Sequence, residues 1–310
     1  MNYRHIFHAG NFADVAKHVG LVCLLERLAA KGKPFAYVET HAGAGRYDLS
    51  AGEARRSGEA DHGIRELASG PAPGGAIGRY LELIRSFQPR SGGIEVYPGS
   101  PMIAQQMMGE SDRALVCEID PGQSRLLRQN LAGDRRFGVH HRDGYEAPQA
   151  LLPPMPPLPR RGVVLIDPPY EDADELKRLF PALEKGGRRW PTGIFMVWYP
   201  IKHRRELRGF YRSLVATRLG PVLLAELMVR PADSGGRLNG SGLAIIRPPW
   251  RFDRDLSSVW PDLARRLGGD SGRADVRWLS RAGFGAPDRP GRAKRVPRRA
   301  AGSGMARQRS

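Results

Sequence analysis

The stretch Gly162-Val163-Val164-Leu165-Ile166-Asp167-Pro168-Pro169-Tyr170 decides how this chain reads. Five apolar residues without alternation predict a strand buried on both faces, as in a parallel sheet. Asp167 stands at the strand's C-terminal end, followed by two prolines that fix φ and, lacking N–H donors, hold the turn out of the ladder. This combination suits the chemistry of an exocyclic amine. The amino group of adenine shares its lone pair with the ring, so its N–H groups must be held on acceptors while an electrophilic methyl approaches in line. Asp167 offers one acceptor and the Pro168 carbonyl a second, and Tyr170 presents a face to an unstacked base. As plain structure, the same residues make a strand ending in a proline turn with a half-buried tyrosine.

Upstream, residues 34–38 read as another strand, running into Glu39-Thr40-His41-Ala42-Gly43-Ala44-Gly45. Glycines in such a loop let the backbone approach a bound nucleoside, and the acid shapes the loop. The pattern departs from the dinucleotide fingerprint: no third glycine follows at the needed offset, and no helix start points N–H groups at a pyrophosphate. A cofactor without phosphate fits better, which makes S-adenosylmethionine the candidate.

Residues 114–117 predict a further buried strand ending at Glu118, whose carboxylate can accept from both ribose hydroxyls. A strand over 137–140 leads to Asp143-Gly144, the acid as acceptor for the cofactor's adenine amine and the glycine as room for its ring. Each acid singly could be a solvated strand end. Together, Glu39, Glu118, Asp143 and Asp167 end four strands of an α/β sheet, where ligands bind. The wide gap between the glycine loop and Glu118 indicates an insertion, residues 46–93. In it Tyr80, Leu83, Ile84 and Phe87 give a short amphipathic helix, and Ser91-Gly92-Gly93 closes the segment. Next comes Tyr97-Pro98-Gly99-Ser100-Pro101, which predicts a helix with Ser100 as N-cap and Pro101 at its first position.

The N-terminus is dense in polar groups: Tyr3-Arg4-His5-Ile6-Phe7-His8-Ala9-Gly10-Asn11, then Asp14, Lys17 and His18. Asn11 and Asp14 predict an N-cap and its reciprocal partner, and Val15, Val19, Val22, Leu25 and Leu28 a core face. The helix should end near Gly32. Three histidines without a Cys or Glu ligand at metal spacing argue against zinc. A short basic flap is expected instead, retained because it lacks the apolar stretch of a signal peptide. Lys17 and Arg4 are candidates for phosphate contact, with a solvated helix surface as the default.

The run Tyr3-Arg4-His5, His8-Ala9-Gly10-Asn11, Asp14 and Lys17-His18, with Thr40-His41-Ala42-Gly43-Ala44-Gly45-Arg46-Tyr47, Tyr97-Pro98-Gly99-Ser100-Pro101 and Asp167-Pro168-Pro169-Tyr170, resembles the RlmJ-type 23S ribosomal RNA adenine-N6 methyltransferases. The resemblance spans roughly residues 2–280, through Trp198-Tyr199-Pro200, Ser241-Gly242 and Pro248-Pro249-Trp250. It implies an α/β class I S-adenosylmethionine-dependent methyltransferase fold of Rossmann type, with a core of residues 1–45 and 94–280 and a helical insertion subdomain. It also implies that the target is adenine-2030 of 23S ribosomal RNA. By the same resemblance His18, His41, Gly43, Ser100, Glu118, Asp143, Gly144 and Asp167 line the cofactor site. The resemblance makes Asp167 the catalytic acceptor and has Tyr3 touch the RNA; Pro168 and Tyr170 join Asp167 on the chemistry above, and Arg4, His5 and Lys17 are the further candidates for the RNA.

Composition agrees. The chain has 310 residues, 41% of them hydrophobic, enough for a full α/β core, and its net charge of +17 favours a polyanionic partner. Residues 281–310 hold nine Lys or Arg against Asp288 and no apolar periodicity, which predicts a disordered basic tail, either solubilising or an RNA tether. Cys23 and Cys117 fall in predicted buried elements, as in a cytoplasmic, reducing setting. No run of 18 apolar residues predicts a membrane span, and a monomer without metal is expected. Residues 222–229 and 242–246 predict a β-hairpin whose polar connection borders the cleft. Two rival readings use the same residues: a DNA adenine-N6 methyltransferase, and a non-catalytic RNA-binding protein on this fold.

Overall fold

The structure is a computed structural model that describes residues 7–281 apart from 72, 90–91, 172–173, 232–233 and 236–237. Tyr3, Arg4, His5 and the tail beyond Arg281 therefore lie outside the described residues. The first helix, α1 (Phe12–Ala29), starts as expected at Asn11, whose side chain accepts from the N–H groups of Ala13 and Asp14, each at 2.9 Å. The reciprocal bond differs by one residue, since Asp14 accepts from Gly10 N–H at 3.1 Å. A one-sided amphipathic helix was expected, yet α1 is buried except at Glu26, Arg27 and Ala29. The reason is its position between the sheet and the insertion. Gly20 lets it lie close on the sheet: a Cβ there would come within 2.4 Å of Leu243.

Strand β1 (Ala36–Glu39) follows, then β2 (Arg46–Asp48). The insertion carries α2 (Gly52–Ser57), a kinked turn at Asp61–Arg65 where Gly63 leaves helical geometry, α3 (Glu66–Ser69) and α4 (Gly75–Ser86). Its amphipathic helix is the predicted one, with Tyr80, Leu81 and Ile84 buried. Strand β3 (Val96–Pro98) pairs antiparallel with β2, fastening the two ends of the insertion together. Residues of α4 and of the kinked turn share one hydrophobic core with α1 and the sheet.

Next come α5 (Ser100–Met107), β4 (Arg113–Glu118), α6 (Pro121–Asn130), β5 (Phe137–His141), α7 (Ala147–Leu151) and β6 (Gly162–Ile166). The chain continues through α8 (Glu175–Arg189), β7 (Ile194–Ile201), α9 (Leu207–Ala216), β8 (Val222–Met228), β9 (Gly240–Ile246), α10 (Phe252–Gly268) and β10 (Arg273–Ser280). The eight-stranded sheet has the order β10-β8-β9-β7-β6-β1-β4-β5. Strands β5, β4, β1, β6 and β7 are parallel, and β9, β8 and β10 close the sheet antiparallel. The expected hairpin is thus β8–β9. From β1 the chain winds outward through β4 to β5, then returns to the other side of β1 with β6. The winding reverses between β1 and β6, the switch point beyond which ligands bind in open α/β sheets. Among the described residues, no helix is long and apolar enough to cross a membrane.

Candidate active site

A cleft of about 960 Å³ opens at this switch point. Its floor is the turn after β6. Asp167 and Pro168 sit there with Tyr170, whose backbone takes φ +51° and whose hydroxyl donates to the Trp198 carbonyl at 2.7 Å. The Tyr170 and Trp198 rings lie 5.6 Å apart, tilted, so one aromatic corner faces the cleft.

Beneath Asp167 lies a contact that the sequence reading did not contain. Lys17 Nζ donates to Asp167 Oδ2 at 2.5 Å and to Asp14 Oδ1 at 2.7 Å. Lys17, expected on a solvated surface or against RNA phosphate, is 3% exposed. That expectation is corrected: the ammonium is committed to two carboxylates. Burial alone would lower its pKa, but Asp14 and Asp167 outweigh burial and hold it well above the ordinary lysine value.

The β1 end supplies a cradle. Gly43 and Gly45 take φ +60° and +78°, and a Cβ on Gly43 would lie 2.1 Å from the Tyr47 hydroxyl. Gly43 N–H donates to Glu118 Oε2 at 2.8 Å, and Asp120 N–H to Glu118 Oε1 at 2.7 Å, so the carboxylate that ends β4 is oriented by two amides. Ser100 is not the N-cap of α5; Gly99 is, and the Ser100 hydroxyl donates instead to Glu39 Oε1 at 2.5 Å. Glu39 also accepts from the Tyr37 hydroxyl at 2.7 Å and is wholly buried, which pushes its pKa up to about 8. It braces the loop from below and does not line the cleft. His18 lines it, sharing a 2.8 Å hydrogen bond with the Tyr97 hydroxyl. His41 lines it too; burial lowers its pKa to about 4, so the ring is neutral at pH 7.

Asp143 and Gly144 depart from expectation, for neither is among the residues lining the cleft. Asp143 accepts from Tyr145 N–H at 2.9 Å and pairs with Arg178. Gly144 makes room for protein rather than ligand: a Cβ there would meet the Thr40 carbonyl at 2.2 Å and the His41 ring at 2.7 Å.

The wall formed by the insertion was not legible in the sequence. Ser57, Gly58, Glu59 and His62 of the insertion form one side. Glu59 accepts from Asn11 Nδ2 at 2.9 Å and bonds His8 Nδ1 at 3.0 Å, raising the His8 pKa. Pro200, Lys202, Arg230 and Leu238 form the far end, where the connection between β8 and β9 borders the cleft as expected. The donor set is that of a nucleoside site: oriented carboxylates, bare backbone and aromatic faces in a volume typical of small-molecule pockets.

Residues 32–280 match the family described as "RsmJ: Ribosomal RNA large subunit methyltransferase D, RlmJ". The chain is 37% identical over 281 residues to the ribosomal RNA large subunit methyltransferase J of Haemophilus influenzae, covering 90% of this chain and 99% of that protein. It is 37% identical over 280 residues to the protein of the same name from Escherichia coli K12, with the same coverage. A crystal structure of a Legionella pneumophila protein, 31% identical, superposes with a TM-score of 0.76 over 87% of this chain and 98% of that one.

Proposed function

The chain belongs to the RlmJ family of ribosomal RNA large subunit methyltransferases, and on that premise we propose that it methylates the N6 amino group of a single adenine, adenine-2030, in 23S ribosomal RNA. Its fold is that of the class I methyltransferases and its donor is S-adenosylmethionine. The observation that carries the reading is Asp167-Pro168-Pro169-Tyr170 at the floor of a cleft placed on the sheet's switch point.

The cradle fits the donor. Gly43, at φ +60°, turns its N–H onto Glu118, Glu118 presents that fixed carboxylate to ribose hydroxyls, and His41, neutral, adds no charge to repel a sulfonium. When bound, S-adenosylmethionine supplies an electrophilic methyl group.

The chain's own groups do the rest by positioning. Asp167 and the Pro168 carbonyl accept the two N–H bonds of the adenine amine, which turns the nitrogen lone pair toward the donor. Tyr170 and Trp198 hold the ring out of any stack. Lys17 fixes the Asp167 carboxylate, so its orientation costs nothing when the base arrives. The nitrogen sheds a proton once it is tetrahedral and cationic, and no strong base is required.

Methyl transfer into protein-free 23S ribosomal RNA, large ribosomal subunits and duplex DNA, followed by mass mapping, tests this. Product at one adenine of the ribosomal RNA is expected. Methylated duplex DNA would favour the DNA enzyme, and no product on any substrate the non-catalytic binder.

A further inference from the structure

The cleft has a donor end, at Gly43 and Glu118, and an adenine end, at Tyr170 and Trp198. Two cations line the adenine end: Lys202, exposed just beyond β7, and Arg230, whose Nη1 donates to the Leu238 carbonyl at 3.2 Å. Two residues after Lys202 a 3-10 turn, Arg204–Glu206, leads into α9. That helix turns Leu207, Phe210 and Leu214 inward. At α-helical spacing Arg208 and Arg212 fall together on an outer flank of α9, about 6 Å apart along the axis, and Arg204 precedes them in the 3-10 turn.

On the neighbouring α8, exposed Arg188 is paired within its helix with Glu184, and on α10 exposed Arg265 is paired with Asp262. Among the described residues, Arg204, Arg208 and Arg212 have no such acid. Like charges at i, i+4 repel and cost helix stability, so this ladder is unfavourable until an anion covers it. A repeating polyanion that enters the cleft with one base matches both features.

We propose that the RNA strand carrying the target adenine leaves the cleft over Lys202 and Arg230 and follows Arg204, Arg208 and Arg212, which hold its phosphates. This rests on the ribosomal RNA reading above. Such contacts place the strand without reading its sequence.

The test uses the full chain and a 23S ribosomal RNA transcript, with binding measured across a salt series and turnover at one low salt. In the variant Arg204→Gln, Arg208→Gln, Arg212→Gln, three lost phosphate contacts should flatten the log affinity against log salt slope by about 2. KM should rise about tenfold or more while kcat stays within about twofold, since the pocket is untouched. The corresponding triple Lys variant should keep most of the slope. Cofactor affinity and thermal unfolding, unchanged, establish that the Gln variant is folded. A control, Arg125→Gln with Arg128→Gln, removes two exposed arginines of α6 from the opposite side of the sheet and should leave the slope alone. Equal slopes for wild type and the α9 variant would overturn the track, as would an equal loss per charge in the α6 control. If wild-type protein methylates no ribosomal RNA, the substrate reading falls and this inference with it; if it does and the slopes agree, only the inference falls.

Discussion

Lys17 Nζ and Asp167 Oδ2 lie 2.5 Å apart, joining the first helix to the turn after β6 across 150 residues of sequence. The lysine side chain is 4% exposed and the aspartate 12%, so the pair sits under the cleft and not on its rim. Asp14 completes the group, and its own bond to Gly10 N–H ties the start of α1 to the same charges. The carboxylate expected to hold the adenine amine is therefore fixed by a helix outside the β6 turn.

Lys17→Met removes the ammonium that bridges buried Asp14 and part-buried Asp167. Losing one partner of such a group should destabilise the fold by about 3–5 kcal/mol, measured by urea unfolding. The pair's contribution has a defined pH window. A lysine whose pKa is raised on folding contributes fully below its unfolded pKa and loses that contribution only as pH rises through the still higher folded value. Wild type should thus show no loss from this group between pH 6 and 9. A Met variant as stable as wild type would place the ammonium in solvent.

Asp167→Ala should lower kcat by about 100-fold or more, because orientation of the amine is lost, while cofactor affinity changes less than about threefold. Single-turnover methyl transfer and calorimetry separate the two. A variant that keeps more than about a tenth of wild-type turnover would remove Asp167 from the chemistry.

Glu118→Ala should act in the opposite sense. It removes the carboxylate bound by Gly43 and Asp120 amides, so cofactor affinity should weaken about tenfold or more, with Glu118→Gln intermediate. Calorimetry showing unchanged affinity would assign Glu118 to loop structure alone.

Glu39→Gln isolates a pH effect on stability. With its pKa pushed up to about 8 by burial, Glu39 stabilises the fold fully below its unfolded pKa. That contribution is lost as pH rises toward the folded value, at no more than about 1.4 kcal/mol per pH unit. Wild type should therefore lose stability relative to the Gln variant between pH 5 and 8, and the gap should level off above that. A gap independent of pH would mean that Glu39 is already ionised in the folded protein at pH 5.

What the sequence determined by itself was local. Uninterrupted apolar runs marked β1, β4 and β6, and Asn11 marked the start of α1. The acid at each strand end placed a cleft, because side chains at a strand's end project beyond the sheet whatever lies around them. Glu118 and Asp167 stand at such ends and line the cleft. The same rule gives a position along a strand but not the partners that bury or neutralise a carboxylate, as at Glu39 and Asp143. Only the tertiary structure decided those partners: Ser100 and Tyr37 for Glu39, Arg178 for Asp143, Lys17 for Asp167. It also decided that α1 is buried almost all round, because the insertion covers the face that periodicity assigns to solvent. Periodicity reports one buried face, and a helix gripped on both sides is set by packing between distant segments. The environment of Lys17 follows from that grip: in water it would be a solvated cation, and between the sheet and the insertion it becomes the counter-charge of Asp14 and Asp167.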